Sequence, residues 1–311
     1  YDAYACASDA RDKAESLRIY QIMTEAFIDT DGAGYGEGYG TSHHLGDLQG
    51  ITAALDYIQD LGMNAIWLTP VFHSEALPGQ DIWATRLDAT GYFTTNYFAI
   101  DPEFGTLDDA RELVDEAHAR GMRVFFDGVF GHFKENAQQR SSPQGLTVST
   151  TGSAQGDTGR EAEYPDDLDF FKEVATYWIT ELKIDGWRLD QAFQVPVGAW
   201  GEIRRAVDEA SASVTYELDG QTVHPLGYLV AEVWKGEDDI AAEAYGSSLQ
   251  PGVCSAFDFP MRYRIVQTLA AEENKAVFDR NASTLIEGFA THDAYPEHAI
   301  PNGFLTNHDL V

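Results

Sequence analysis

The stretch Ile184-Asp185-Gly186-Trp187-Arg188-Leu189-Asp190 has the pattern of a short buried strand that ends in a charge. Arg188 and Asp190 lie two residues apart, so on a strand both side chains point to the same side. An opposite charge close by favours the ionised carboxylate, so Asp190 should stay charged. Taken alone, the stretch favours a structural ion pair. An ionised carboxylate at the carboxyl end of a barrel strand would also suit covalent catalysis.

Strands and helices alternate on both sides of this stretch. Apolar runs predict seven strands, at 18–23, 64–70, 123–130, 184–190, 227–234, 253–259 and 304–307. Helical periodicity and end signals predict helices at 47–61, 106–120 (opened by a Thr106–Asp109 capping box), 169–182, 198–211, 239–245, 262–274 and 283–289. This alternation predicts an α/β fold with a parallel sheet and external helices, and 311 residues suit one barrel domain.

Two long connections interrupt the alternation. The first follows the second strand as a loop that carries the aromatic residues Trp83, Tyr92, Phe93, Tyr97 and Phe98. The second follows the third strand and is polar, so we interpret it as an insertion over the barrel mouth, with a disordered loop as the alternative. The predicted domains are 1–130 (barrel, first part), 131–168 (insertion) and 169–311 (barrel, second part).

The charge balance narrows the classes of partner. Acidic residues outnumber basic ones 51 to 20, which gives a formal charge of -31 and a pI near 4.3. Such a field repels nucleic acid and anionic membranes, so we expect neither as a partner. Attraction of a cationic substrate is a weaker interpretation than a well-solvated surface of the kind that suits salty surroundings. No stretch is long and apolar enough to span a membrane.

The first residue of the sequence favours an exported protein, and export would allow a disulfide. The sequence begins with Tyr1 and not Met, as a mature form does after signal removal, although a trimmed chain would look the same. Cys6 and Cys254 show no metal or redox spacing and could form one disulfide in an oxidising compartment. We therefore expect a secreted or periplasmic location.

Four predicted strands finish on residues suited to chemistry, and in a parallel barrel these ends meet on one face. They supply Asp127 and His132, then Arg188 and Asp190, then Glu232, and last Asn307, His308 and Asp309. Glu232 follows an apolar run, so desolvation should favour its protonated form. An ionised carboxylate facing a protonated carboxyl group is the arrangement that cleaves glycosidic bonds, with about 5–5.5 Å between them in a retaining enzyme.

These segments resemble the four ordered signature regions of the α-amylase family, glycoside hydrolase family 13. The matching segments are Asp127-Gly128-Val129-Phe130-Gly131-His132, Gly186-Trp187-Arg188-Leu189-Asp190, Ala231-Glu232-Val233-Trp234 and Phe304-Leu305-Thr306-Asn307-His308-Asp309. One region is a weak signal, whereas four in order are specific, and the resemblance covers nearly the whole chain. It implies a TIM (β/α)8-type barrel, and the insertion resembles the family's domain B.

The resemblance also implies a role for each residue. Asp190 would be the nucleophile, Glu232 the general acid/base and Asp309 a transition-state stabiliser. Arg188 would position Asp190, and Asp127 would order the floor of the site. The substrate-binding residues would be Tyr92, His132, His308 and Asn307 around the sugar before the scissile bond, and Phe193, Gln194 and Trp234 on the leaving-group side.

Two departures from the family pattern concern metal and substrate. Gly131 stands where the family has a calcium-binding asparagine, so we expect that usual calcium site to be absent. Phe193-Gln194 replace a common Lys-His. A second calcium possibility is the loop with Asp29, Asp31 and Asp47, which resembles the N-terminal loop of cyclodextrin glucanotransferases. A solvated glycine-rich turn is the equal alternative.

The resemblance predicts a retaining hydrolase of α-glucans such as starch, maltooligosaccharides or cyclodextrins. An α-glucan transglycosylase would use the same residues. The family barrel has eight strands, and this sequence ends two residues after Asp309, so we expect a further segment or a further chain to complete it. An inactive carbohydrate-binding fragment is therefore a third reading. A metal-dependent lyase or isomerase is disfavoured by the Arg188–Asp190 pair.

Overall fold

The computed structural model describes residues 14–36, 38, 45–156, 158–269 and 283–310. Seven parallel strands form one sheet in which each strand pairs with the next along the chain. They are β1 (Ile19–Ile22), β2 (Ala65–Leu68), β3 (Arg123–Gly128), β4 (Gly186–Leu189), β5 (Tyr228–Ala231), β6 (Ser255–Phe257) and β7 (Ile300–Asn302). The parallel sheet expected from the sequence is confirmed.

Helices connect these strands. They are α1 (Leu48–Asp60), α2 (Ile82–Ala89), α3 (Leu107–Ala119), α4 (Leu168–Glu181), α5 (Val197–Ser213), α6 (Glu237–Ile240), α7 (Phe259–Leu269) and α8 (Ser283–Ala290), with a π-helical turn at Ala241–Tyr245. The predicted capping box at Thr106 and Asp109 opens α3. In the described ranges, no helix has both the length and the apolar character that crossing a bilayer requires.

Alternate strand residues face two separate apolar layers, as a sheet covered on one side by helices requires. The outer layer packs against the helices and includes Ile66, Leu68, Val124, Phe126, Trp187, Leu189, Leu229, Ala231 and Ala256. The inner layer includes Ala65, Trp67, Phe125, Tyr228, Val230, Phe257 and Ile300. The periodicity of the sequence thus encodes both surfaces of the sheet.

Contacts across the inner layer show that the sheet is curled. Trp67 on β2 and Phe257 on β6 have ring centroids only 5.6 Å apart, although a flat sheet would separate strands four positions apart by about 19 Å. The curled parallel sheet with external helices is a partial barrel of the TIM type, as predicted. β1 and β7 are its outer strands within the described residues.

Three small antiparallel sheets lie in the connections between the barrel strands. Phe72–His73 pairs with Asn96–Ile100, and Tyr216–Leu218 pairs with Gln221–Val223. Between β3 and α4, a three-stranded sheet consists of His132–Lys134, Gly159–Glu161 and Ala154–Gln155. The described residues of the segment predicted as an insertion therefore form a sheet of their own, whereas the boundaries of the insertion stay a prediction.

Two predictions about elements are wrong, and one lies outside the described residues. The aromatic connection after β2 is not a loop, because it contains α2 and the strand Asn96–Ile100. The seventh strand is Ile300–Asn302 and not 304–307, which places His308 beyond the strand in a turn. Cys6 lies outside the described residues, so the disulfide stays a prediction.

Candidate active site

Arg188 lies at the centre of the predicted site. It points to the inner side of β4 and is 1% exposed. Gly186, two residues earlier, faces the same way, and a Cβ atom there would overlap the carbonyl oxygen of Tyr228. The guanidinium lies over the rings of Trp67 and Tyr92, with centroid distances of 5.2 and 5.7 Å. The pattern of β4 therefore delivers one buried cation into the barrel mouth.

Asp127 forms the floor of this cluster. Its carboxylate accepts hydrogen bonds from Arg188 Nη1 at 2.8 and 2.9 Å, from Trp67 Nε1 at 3.2 Å and from Tyr92 Oη at 2.8 Å. Burial raises the pKa of Asp127 to about 7, while Arg188 opposes that shift. Both oxygens are thus occupied by protein donors, which suits a residue that holds the site together.

Asp190 receives less support than its neighbour. Its Oδ1 lies 2.9 Å from Arg188 Nη1, so the predicted ion pair is confirmed. Its Oδ2 is buried and has no hydrogen-bond partner among the described residues. Burial raises the pKa of Asp190, and Arg188 lowers it only in part, whereas the sequence suggested that the arginine would prevail. One carboxylate oxygen is therefore left free to react.

Glu232 follows β5 and is 5% exposed. Its Oε1 lies 2.8 Å from Arg188 Nη2, and its Oε2 accepts a hydrogen bond from the backbone N–H of Gln191 at 3.1 Å. The carboxyl group is removed from solvent, as the apolar run before it predicted, and a cation and a backbone donor also contact it. Two nitrogens of one guanidinium hold Asp190 and Glu232 beside each other.

Tyr92 and His308 form a stacked pair next to Asp127. Their rings lie 5.5 Å apart at 15°, and Tyr92 Oη is 2.9 Å from His308 Nε2. His308 Nδ1 lies 3.1 Å from the amide Nε2 of Gln21, which can only donate. The ring is then neutral, with its proton on Nε2. Burial and Arg188 both lower the pKa of His308, which agrees with this assignment.

Asp309 lies at the outer edge of the cluster. Its side chain is 41% exposed, and its Oδ2 is 3.4 Å from His308 Nε2. Its backbone N–H donates to the side-chain oxygen of Asn307 at 3.0 Å. Of the three predicted catalytic acids, two share Arg188 and the third is linked to the group through His308.

His132 is buried, and protein atoms contact both of its ring nitrogens. Nδ1 lies 2.9 Å from Oε1 of Gln194, and Nε2 lies 3.1 Å from the carbonyl oxygen of Tyr92. A contact with a sugar hydroxyl would therefore have to replace one of these bonds. Gln194 belongs to the short helix Ala192–Gln194 after β4.

Phe193 and Trp234 are exposed beside this cluster, at 41% and 46%. Lys235 Nζ lies 4.8 Å from the ring centroid of Phe193. One face of Trp234 stacks on Phe259 at 5.6 Å and 8°, and its Nε1 donates to Tyr263 Oη at 2.6 Å. The site thus has aromatic faces open to solvent next to Glu232.

Sequence reasoning missed three residues of the site, namely Gln21, Trp67 and Gln191. Gln21 is polar within the apolar strand β1, and this anomaly was a signal that could have been used. Trp67 gave no separate signal, because an apolar residue in a strand is expected in the core. Gln191 contributes its backbone, in a left-handed conformation with φ 38°, which its side-chain type does not reveal.

The predicted calcium residues lie away from this cluster, at the start of α1. Carboxylate oxygens of Asp29, Asp31 and Asp47 lie within 4.8 Å of one another. Asp47 uses both oxygens in hydrogen bonds, to the N–H of Gly50 and to Thr30. Asp29 and Asp31 use Oδ1 to accept from backbone N–H groups of their own loop. A hard cation fits the donor type, while Asp47 already serves as the helix cap.

Comparison with known proteins extends these observations. A family model for the α-amylase catalytic domain matches residues 21–146. The crystal structure of AmyP in complex with maltose is 55% identical, superimposes with a TM-score of 0.90 and covers 97% of this chain and 59% of that one. An α-amylase of Geobacillus thermoleovorans, complexed with acarbose, is 26% identical with a TM-score of 0.66, over 94% of this chain and 61% of that one.

A curated relative agrees with the structural neighbours. A cyclomaltodextrinase of Thermoanaerobacter pseudethanolicus is 30% identical in an alignment that covers 83% of this chain and 45% of that protein. The chain therefore spans less than half of that relative's length. The family model, which spans the first of the four segments, the relative and the neighbouring structures all point to the family that the four segments resemble. The chain belongs to the α-amylase family, glycoside hydrolase family 13.

Proposed function

We propose that this chain is the catalytic part of a retaining α-glucan hydrolase. The observation that carries the proposal is the free oxygen of Asp190. Arg188 pairs with Oδ1 of Asp190 and with Glu232, while Oδ2 of Asp190 has no partner among the described residues. A carboxylate oriented through one oxygen and unbonded at the other is prepared to attack carbon.

The reaction takes two displacements. Glu232 gives its proton to the glycosidic oxygen as Oδ2 of Asp190 attacks the anomeric carbon, which breaks the glycosidic bond and leaves a covalent glycosyl ester. Glu232, now a carboxylate, then takes a proton from water, and the resulting hydroxide displaces Asp190. Two inversions retain the α configuration. Arg188 stays between the two acids and offsets their charge in both steps.

The remaining residues bind the substrate in this proposal. Tyr92 stacks against the sugar before the scissile bond, and His308, His132, Asn307 and Asp309 hold its hydroxyls. Phe193, Gln194 and Trp234 contact the leaving group. The complex of AmyP with maltose and the relative named as a cyclomaltodextrinase support an oligosaccharide of α-linked glucose as substrate.

The test is hydrolysis of maltotriose and maltohexaose, with the product anomer followed by proton NMR. We expect α products first, and a loss of roughly 10³-fold or more in kcat for Asp190→Asn and Glu232→Gln. Asp238→Asn, an exposed acid on α6, is the matched control and should keep full activity. β products, or activity that survives in Asp190→Asn, would contradict the proposal. Products longer than the substrate would assign the chain to transglycosylation.

Calcium at the Asp29–Asp31–Asp47 loop is a separate proposal. Asp29 and Asp31 would each offer Oδ2, and the ion would stabilise the loop before α1. Titration with CaCl2 in a calorimeter should give heat in the chelator-treated protein. Asp29→Asn/Asp31→Asn should remove the heat, and Asp108→Asn, an exposed acid on α3, should not. No heat in the parent chain would make the loop a solvated turn.

A further inference from the structure

Gly131 and Gln194 occupy one space at the edge of the site. A Cβ atom built on Gly131 would lie 2.5 Å from Cβ of Gln194 and closer still to its Oε1. Real Cβ atoms do not approach that closely, so any side chain at 131 would displace the glutamine. Gly131 is not among the residues with positive φ. The requirement for glycine here is therefore space for Gln194, and not backbone conformation.

Gln194 is the middle of a hydrogen-bonded chain across the site. Its Oε1 lies 2.9 Å from His132 Nδ1, and its Nε2 donates to Oε1 of Gln191 at 3.2 Å. The backbone N–H of Gln191 donates to Glu232. His132 Nε2 contacts the carbonyl oxygen of Tyr92 at 3.1 Å. The chain thus joins Glu232 to the loop that carries Tyr92.

We infer that Gln194 is a positioning residue for His132 and Glu232, and that Gly131 is its obligatory steric counterpart. The inference rests on the proposed function, because it concerns the same acid and the same sugar-facing loop. It also explains why the sequence departs from the family pattern at 131 and at 194 together. Glycine before His132 creates the space, and the glutamine fills it with an amide that holds the imidazole.

The physical effect acts on orientation. With Gln194 in place, contacts at both nitrogens fix the plane of the His132 ring. Without the amide, the ring keeps one contact and can rotate. Gln191, whose backbone N–H donates to Glu232, also loses the hydrogen bond that its side chain accepts from Gln194. A displacement of about 1 Å at reacting groups costs up to 10²-fold in rate. The loss should therefore fall on kcat more than on KM.

A double-mutant cycle tests whether Gly131 provides the space that Gln194 occupies. Gly131→Asn should lower the melting temperature and reduce kcat/KM by about 10- to 100-fold, because Gln194 must move. Gln194→Gly removes the Cβ atom that an added Cβ at 131 would overlap, so adding Gly131→Asn in that background should cost much less than it does alone. Additive effects, or a fully stable and active Gly131→Asn variant, would overturn the pairing. The melting temperatures test the pair even if the chain cleaves no maltooligosaccharide, an outcome that refutes only the proposed function.

Variants of the same size test the positioning half. Gln194→Glu keeps an oxygen that faces His132, whereas Gln194→Leu keeps only volume. We expect Gln194→Glu to keep more of the kcat on maltotriose than Gln194→Leu does. Gln194→Leu should lose about tenfold in kcat with little change in KM or melting temperature, whereas the loss of a leaving-group contact alone would raise KM. Gln59→Leu, which removes a hydrogen bond to the backbone of Arg120 on the outer surface, is the matched control. Equal kcat values for Gln194→Leu and the parent chain would overturn the assignment.

Discussion

At the scale of residues, strand β4 has an acid at each end with opposite surroundings. Asp185, just before the strand, is fully buried and accepts hydrogen bonds from His118, Arg123 and Tyr216 at 3.1, 2.5 and 2.6 Å. Two backbone N–H groups add to these. Asp190, just after the strand, keeps one oxygen free. Asp185, whose two oxygens both accept hydrogen bonds, is suited to stability. Asp190, which has one oxygen without a partner among the described residues, is suited to chemistry.

Asp185→Asn should therefore cost stability and not specific activity. Removing the charge leaves Arg123 without its buried partner, so we expect a loss of about 3–5 kcal/mol in the free energy of unfolding at pH 7. The partners lower the pKa of Asp185. A carboxyl group whose pKa is lower in the folded state stabilises the fold at pH values above its pKa in the unfolded chain, and this stabilisation is lost as the pH falls. The difference in unfolding free energy between the parent and Asp185→Asn should therefore shrink below about pH 4.

Denaturation in urea at pH 7 and at pH 3.5 measures both effects of Asp185→Asn. The control is Asp56→Asn, because Asp56 pairs with Arg120 on the surface with its side chain 79% exposed. Exposed pairs contribute below about 1 kcal/mol. Equal costs for the two substitutions would show that the Asp185 network contributes nothing special.

The fall of activity at low pH, the acid limb of the pH profile, should reflect protonation of the Asp190 carboxylate. Its pKa is raised by burial, which Arg188 offsets only in part, and the nucleophile must be ionised. Activity should therefore fall with decreasing pH at a value above the ordinary 3.8 of an aspartate. The proposed mechanism needs the proton on Glu232 while Asp190 is ionised, so the uncharged amide of Glu232→Gln should leave this fall at the same pH.

Maltosyl fluoride makes that measurement feasible, because fluoride leaves without a proton from Glu232. Fluoride release by the parent chain and by Glu232→Gln is compared between pH 3 and pH 7, with azide as a nucleophile that needs no base. The parent with azide is the control for any effect of the added anion. Loss of the fall at low pH in Glu232→Gln would mean that the titrating group is Glu232 and not Asp190.

The site illustrates what single residues reveal before a structure is known. Arg188, Asp190 and Glu232 were predictable together, because the carboxyl ends of parallel strands meet on one face of a barrel, whereas the Arg188–Asp190 pair alone favoured a structural role. Trp67 was not, since its donor to Asp127 is hidden within a strand pattern. The contact between Gly131 and Gln194 depends on the turn after β4, which a sequence does not fix.

At the scale of elements, a buried ion pair fastens the insertion to the barrel. Lys134, on the first strand of the insertion sheet, lies 2.5 Å from Asp88 on α2, and their side chains are 0% and 2% exposed. Tyr92 lies three residues after the end of that helix. Lys134→Met should leave the carboxylate of Asp88 buried without a cation and cost about 3 kcal/mol in the free energy of unfolding. It should also lower activity, because Tyr92 follows the helix that carries Asp88.

The matched control for Lys134→Met lies in the same sheet. Arg160→Met breaks a pair with Glu135 whose side chains are 35% and 48% exposed, and it should cost below about 1 kcal/mol. Lys134→Met/Asp88→Leu should recover part of the loss, because no charge is left buried. Thermal unfolding with hydrolysis of maltotriose measures all three. A double variant no better than Lys134→Met would show that the cost is packing and not charge.

Elements were predictable where periodicity was strong. Strands β1 to β6 and helix α3 matched because their apolar patterns and caps are complete. Helix α2 was missed because it buries only Ala84, Asp88 and Ala89, which leaves no apolar stripe to detect. Strand β7 was displaced because Pro301 argues against a strand, yet it is an outer strand of the described sheet and pairs there with Ala256. Phe304 instead packs on Phe257 and Phe259.

At the scale of the whole molecule, the charge of -31 is the dominant property outside the site. Of the described acids, those at the site are paired, and many others lie on the surface without a nearby cation because bases number only 20 against 51 acids. Mutual repulsion in the compact state opposes folding. Salt shortens the range of that repulsion, to about 10 Å at 0.1 M and about 3 Å at 1 M.

We therefore expect NaCl to stabilise this chain at pH 7. Raising NaCl from 0.05 M to 1 M should increase the melting temperature by roughly 2–5 °C, since screening reduces repulsion more in the folded state than in the extended one. The control is the same salt series at pH 4.5, close to the sequence pI of 4.3. There the net charge is small, so the part of the rise in melting temperature that comes from screening should nearly vanish. Any rise that remains at pH 4.5 measures the general effect of the salt on apolar burial. A melting temperature that falls with salt at pH 7, or rises equally at both pH values, would show that surface repulsion does not limit stability.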